Sequence, residues 1–508
     1  MKKKTSPNNT EHKGDNYWTF LFQKAQLTDW ITVLLSCLAG YVFIRVCYPM
    51  PATFPDAFSY VAAAQTDQFS IYRPFGYSAF LQAVHAVSGS VHAVIIAQFM
   101  LYAISIGLFM MALKRYYPIH LTWLRLMIEA VVTLAPVCIY MLNALMSDAL
   151  FCSLILIMLA MLLVVIYDHS WLAAGIYLAT FFGCLFVRYS AMFFPIAIIP
   201  ILALTGKPVQ RLVTIGMTCL LFGIFYQNIT RNMKETIHHA QFSTGFDGWQ
   251  LANNGLHVLP FIEDGQQPDN KRLREFHQIM QHQFKDIITE KTDSGRIATA
   301  AFLWDKEGPL KQYLFYYMQT TRTPYPIAWA RLGGGLYADY GKWLIMHYPI
   351  LFWQHYLAPN CKDVFYTTRL EMAGKYTEIP IGQKEMATWY NIDTTQTHPA
   401  NYPFYEKHLK AVLPVIELLT WLLFIGAFII IIIKRQSMLA SPSRKIAFAM
   451  LFVFGFIYYG TTTFASPISI RYWMPMHAVK LAFVWMLLSQ WLYNQYLIEN
   501  GYFSTIRK

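Results

Sequence analysis

The chain has 508 residues, 56% of them hydrophobic and only 13% charged, with a net charge of +12. Soluble domains carry about 25% charged residues, so this composition excludes an ordinary soluble protein and points to the membrane. The positive charge does not signal a nucleic-acid binder, because the lysines and arginines fall mainly in short gaps between apolar runs, where they act as topology signals. The seven cysteines lie mostly inside apolar runs and show neither a disulfide framework nor metal-ligand spacing.

Residues 1–28 form a basic start with Lys2, Lys3, Lys4, Lys13 and Lys24. The apolar run from Trp30 to Tyr48 is long enough to span and is followed by no small-residue cleavage site, so it reads as a retained first span. A mildly polar segment, 49–89, follows. Spans are then expected at about 90–112, 123–143, 148–167, 171–187 and 189–206, with a seventh ending near Thr230. Residues 1–28 and 29–230 thus make a terminal segment and a first membrane module.

Residues 231–408 differ in character, mixing both signs of charge with Gly, Pro, Asn and aromatics. The most apolar piece, Trp343 to Leu357, is interrupted by His347, Pro349 and His355 and reads as an interfacial helix pair rather than a span. Gly333, Gly334 and Gly335 read as a flexible hinge. Three more spans follow at about 411–433, 446–464 and 474–495 within a second module, 409–496, and residues 497–508 form a basic tail with Arg507 and Lys508. The expected fold class is therefore an all-α polytopic membrane protein of about ten spans, with a mixed α/β or α-rich domain at 231–408.

The basic segments alternate correctly with ten spans. Positive-inside orientation puts both termini and the loops at 113–125, 207–211 and 434–445 in the cytoplasm. The 49–89 segment and the 231–408 domain then share the outer, periplasmic or extracellular, face. A basic start without further targeting features favours a bacterial inner membrane.

Chemistry can be assigned to few residues. Asp56, Tyr60, Ala63 and Asp67 fall at helical spacing, so both carboxylates can share one face. Asp56 is suited either to a base, with a pKa pushed up by partial desolvation, or to a helix cap. Arg73 in the 49–89 segment, and Arg188 and Arg471 at span ends, suit bidentate phosphate binding or interfacial anchoring. Lys480 lies deep in the last span, where it is functional or pairs with Glu417. Asp148 could orient a substrate, pair with an arginine or cap its helix, and Arg125 and Glu129 read as an i, i+4 pair. Adjacent His238 and His239 point in different directions and make a poor metal site. No phosphate loop or dinucleotide fingerprint occurs.

An Asp followed by an aromatic and a Tyr, then Arg73-Pro74-Phe75-Gly76-Tyr77 opening an apolar helix, resembles the first outer loop of GT-C glycosyltransferases. The similarity is to the lipid-phosphosugar-dependent branch, which includes protein O-mannosyltransferases and aminoarabinose transferases. Further similar segments occur in order: Met146-Ser147-Asp148-Ala149-Leu150-Phe151, Phe186-Val187-Arg188-Tyr189, Trp343 to Pro349, and Arg471-Tyr472 with Pro475. The 231–408 domain is matched only loosely, through Phe246 to Asn254. The family's first-loop motif commonly reads Asp-Glu; here Ala57 replaces the Glu, so no obligatory metal is expected and a divalent ion is left open.

The resemblance implies Asp56 as catalytic base, with Tyr60, Arg73, Tyr77, Asp148, Arg188, Arg471, Tyr472 and Lys480 as substrate-binding residues. It implies a polyprenyl-phosphate sugar donor held among membrane lipids, a glycan, lipid or protein acceptor, inverting transfer, and no nucleic-acid partner. Two other readings are a lipid-linked sugar flippase or transporter and an O-antigen polymerase or ligase. The first is disfavoured by the lack of an internal repeat, the second by the early position of the Asp56 segment.

Overall fold

The computed structural model describes residues 16–68, 72–242, 245–263, 266–293, 301–366, 384–392 and 403–499. The expected signals at Lys2, Lys3, Lys4, Lys13, Arg507 and Lys508 lie outside the described residues. Among the described residues every regular element is helical, and the one β-type pairing is an isolated parallel bridge between Ala52 and Ala144. The α-rich form of the 231–408 domain is what its described parts adopt; the mixed α/β form is not seen there.

Among the described residues, six helices are long and apolar enough to cross a membrane: Lys24–Cys47, Val91–Tyr116, Ser147–Asp168, Pro208–Ile237, Ala411–Ile433 and Pro442–Ala465. Thr122–Thr133 and Pro136–Leu142, bent by 45° between them, make a seventh if taken as one span. Pro136 explains the break, since it supplies no N–H to the preceding turn. Shorter apolar helices cover Trp171–Val187 and Tyr189–Ala203, and Met474–Glu499 closes the described chain. The architecture is that of a polytopic helical membrane protein.

Burial sorts these helices into layers. The most apolar stretch of Ser147–Asp168 is 83% buried, whereas those of Pro208–Ile237 and Ala411–Ile433 are 22% buried. The first is the central post; the other two turn long apolar faces outward, with Leu212, Leu220 and Ile224 on one and Leu419, Leu422 and Leu423 on the other. Such faces suit lipid, and in lipid helix association depends on close packing rather than on hydrophobic burial. Gly107 is one point of close approach, where a Cβ would meet the Trp30 ring. Serines cap three of the apolar helices: Ser90 accepts from the His92 N–H, Ser170 from Ala173 and Ser441 from Arg444.

The region after Ile237 folds around its own core of Trp249, Leu256, Phe276, Leu310, Trp329, Tyr337, Tyr340 and Tyr356. Its helices are short, from Phe246–Gly255 through Lys271–Gln283 and Pro309–Thr321 to Ala358–Phe365. The glycine run corrects the sequence reading. It forms a π-helical turn, Leu332–Tyr337, in which Gly333 is buried against Gly245 and Gly248. A Cβ at Gly248 would overlap the Gly333 carbonyl oxygen, so glycine serves close packing here, not hinge motion.

The 343–357 segment is the expected broken helix: Ala338–His347, then Pro349–Phe352, continued by a π turn at Trp353–Leu357. Leu344, Phe352 and Tyr356 face the domain core, while Met346, Ile350 and Trp353 are exposed along one line. That pairing of a buried face with an exposed apolar face fits an interfacial helix.

Two asparagines fasten this domain to the bundle. Asn254 Nδ2 donates to the carbonyls of Phe464 (2.8 Å) and Ala465 (3.1 Å), at the end of Pro442–Ala465. Asn360 Nδ2 donates to Thr463 (2.7 Å) and Ser466 (2.8 Å), and its Oδ1 accepts from Ile468 N–H (2.8 Å). Carbonyls left open at a helix terminus are thereby satisfied.

Candidate functional site: a carboxylate among three arginines

One end of the bundle gathers Asp56, Arg73, Asp148, Arg188, Arg471 and Tyr472. Asp56 is the second residue of Pro55–Thr66. The cap position belongs to Phe54, with no side-chain cap bond, so Asp56 is not the helix cap. Its Oδ1 lies 2.5 Å from Arg73 Nη2 and its Oδ2 lies 3.4 Å from Arg471 Nη1, across 415 positions of sequence. Asp148 pairs with Arg188, one of the three uses open to it.

Tyrosine rings pack on the guanidiniums. Arg73 lies 4.9 Å from the Tyr60 ring centre, and Arg188 and Arg471 lie 5.6 Å and 5.2 Å from that of Tyr472. Ring faces hold a cation by their quadrupole and fix the plane of the guanidinium. Tyr60 is itself held by its hydroxyl, which donates to Ser147 Oγ (2.9 Å), and Tyr472 hydroxyl lies 3.2 Å from Ser466 Oγ.

The local folding follows from a few contacts. Ala52 N–H donates to Asn143 C=O and Leu145 N–H to Ala52 C=O, each at 2.9 Å, tying the chain before Asp56 to the turn before Asp148. Ser78 Oγ donates to Tyr60 C=O (2.9 Å), joining Pro55–Thr66 to Gly76–Val87. Arg471 sits in a short 3₁₀ turn, Ile470–Trp473, directly after the strip held by Asn360.

Charge decides the protonation of Asp56. Burial alone would raise its pKa; the charge of Arg73, then of Arg471, with the Arg73 hydrogen bond and Arg188, outweigh it and hold the carboxyl at about 2 instead of 3.8. The upward shift expected from the sequence is therefore reversed, because the desolvating surroundings contain guanidiniums. Arg73 Nη1 and Asp148 Oδ2 are buried without a partner among the described residues. The site can donate further hydrogen bonds to an anion from Arg73.

Not every expected residue joins the cluster. Tyr77 is fully buried and donates to Gln98 Oε1 (2.9 Å), while Gln98 Nε2 donates to the carbonyls of Leu142 and Ala144. Tyr77 thus braces the turn before Asp148 and supports the site from behind. Asp67 caps the helix in a left-handed conformation (φ 52°) and accepts from Gln82 Nε2 at 3.2 Å, away from the arginines that hold Asp56. Lys480 is buried against Glu417 and the Trp421 ring, the pairing alternative. Arg125 bonds Asp29 (2.6 Å), not Glu129.

The sequence reading quoted Ser147 and Asn254 within similar segments but gave them no role, and it missed Ser466 and Asn360. The serines adjoin the Asp148 and Arg471 motifs, but polar residues that only position others carry no spacing signal of their own. Among the described residues, no group of three or more His, Cys, Asp or Glu side chains gathers in metal-ligand fashion. No family model, curated protein or solved structure matches the chain.

Proposed function

We propose that the chain is an integral membrane glycosyltransferase of GT-C type. It moves a sugar from a polyprenyl-phosphate donor to a cell-envelope acceptor, inverting the anomeric centre, with Asp56 as base. The observation that carries the reading is the convergence of Asp56 with Arg73 and Arg471, beside the Arg188–Asp148 pair, at one end of a lipid-embedded bundle. In this reading the chain crosses the inner membrane ten times, counting the bent pair, the two shorter apolar helices and Met474–Glu499 as spans. Both termini are then cytoplasmic, and the 231–408 domain and the Asp56 cluster face outward.

The chemistry follows from the charges. An acceptor hydroxyl attacks the anomeric carbon; the new C–O bond forms as the bond to the donor phosphate breaks, and Asp56 takes the hydroxyl proton. The departing phosphate carries the bonding pair and is neutralised by Arg73, Arg471 and Arg188. In the resting site two of these guanidiniums hold Asp56, and a carboxyl at about 2 is a weak base. A bound phosphate competes for Arg73 and Arg471. Once it draws them off, burial raises the Asp56 pKa toward the range of a useful base. Donor binding before acceptor activation is the kinetic consequence.

The test is transfer by purified protein from polyprenyl-phosphate sugars to detergent-solubilised envelope acceptors, wild type against Asp56→Asn. Loss of transfer by protein that remains folded supports the reading; full activity in D56N would sink it.

A further inference from the structure

We propose that Trp304 and Tyr325, arranged around Lys311, form with the adjoining Tyr72 a subsite for an anionic saccharide beside the Asp56 cluster. The proposal rests on the glycosyltransferase reading in taking that saccharide to be the acceptor. Lys311 is 8% exposed, and its ammonium has no carboxylate in ion-pair range among the described residues. It sits instead within aromatic walls, 4.5 Å from the Trp329 ring centre, 5.1 Å from Tyr325, 5.7 Å from Trp304 and 5.9 Å from Trp249. One N–H donates to the Tyr325 hydroxyl (2.7 Å), leaving two donors for another acceptor. A buried cation without a counter-charge is costly, and ring faces offset that only in part. Trp329 Nε1 is a second buried donor of the same cluster without a partner among the described residues.

Two of the rings around Lys311 reach the surface. Trp304 is 48% exposed and Tyr325 partly so, whereas Trp249 and Trp329 are fully buried and form the floor. Flat aromatic surfaces receive the C–H faces of a sugar ring, and a few fixed donors set its orientation. An ammonium at the base selects a carboxylate- or phosphate-bearing sugar. Tyr72 links this cluster to the Asp56 site. Tyr72 packs edge-on to Trp329 (5.6 Å between centres) and hydrogen-bonds Tyr325, and the next residue is Arg73, which holds Asp56.

Calorimetry on the full chain in lipid nanodiscs tests this, titrating trigalacturonate and, as the neutral comparison, maltotriose. Trigalacturonate should bind at least about tenfold more tightly than maltotriose, the worth of one charge-assisted hydrogen bond. Lys311→Met and Trp304→Ala should each weaken it about tenfold, while Lys311→Arg retains it. Should K311M fail to fold, the half-exposed Trp304 still decides. Equal binding of the two sugars, no binding by wild type, or binding that K311M and W304A leave unchanged would overturn the subsite. The D56N protein should bind trigalacturonate as wild type does, so a failure of the transferase reading shows in turnover and a failure of the subsite shows in heat.

Discussion

Each end of the bundle holds one aspartate between two cations, yet the two arrangements differ in exposure. Asp29, in the first turn of its helix, is fully buried and bound by Lys114 Nζ and Arg125 Nε at 2.6 Å each. Asp56 has the same partners in kind, but its side chain is 30% exposed and its second contact is a loose 3.4 Å. A sealed triad of tight bonds fastens helix ends. An open triad with a slack bond and a spare guanidinium N–H can exchange one anion for another. Equal charge counts thus serve opposite ends: one to hold, the other to trade.

Substitution can break that comparison. The largest effect is expected from Asp56→Asn, which should lower turnover by about 10²–10⁴-fold, the worth of a general base, with a fall in melting temperature no larger than the loss of its two ion pairs. Asp29→Asn should do the reverse. It leaves Lys114 and Arg125 with only the neighbouring Glu129 carboxyl as counter-charge and should destabilise by about 1–3 kcal/mol, read as a lower melting temperature in nanodiscs, with turnover per folded molecule unchanged. If D29N abolished turnover in folded protein, the division between the ends would fall. Arg471→Lys keeps the charge but loses the planar fork, so donor kcat/KM should drop by roughly tenfold to a hundredfold.

The smallest expected effect lies in the pH profiles. Asp56 is held below its ordinary value, so the stability from its ion pairs is complete above about pH 4 and is lost as pH falls through about 2. Free enzyme should accordingly show no Asp56 limb in kcat/KM for the donor above pH 4. The limb in kcat should lie higher, because bound phosphate shares the arginines. Coincident limbs would mean that donor binding leaves the Asp56 pairs intact.

The six long apolar helices were legible because each must bury or expose some twenty apolar residues, a signal carried by composition alone. Asp56, Arg73, Arg188 and Arg471 were legible as residues but not as partners. A contact spanning 415 positions depends on the packing of every helix between. The direction of the Asp56 shift was misread for the same reason, since desolvation is guessed from location while guanidinium proximity is not. Arg125 found Asp29 through tertiary packing that overrode its i, i+4 neighbour Glu129. Gly333 looked loose because a glycine run reads the same whether it serves motion or crowding; only Gly245 and Gly248, far off in sequence, decide between them.

The amides of Asn254 and Asn360 carry one more implication. They grip the backbone that leads directly into Arg471, so the angle of that guanidinium is inherited from a domain it does not belong to. Such a joint makes the domain a poor candidate for exchange between scaffolds. A foreign module could bring its own specificity, but unless it also supplied two carboxamides at these points, the arginine across from Asp56 would lose its bearing.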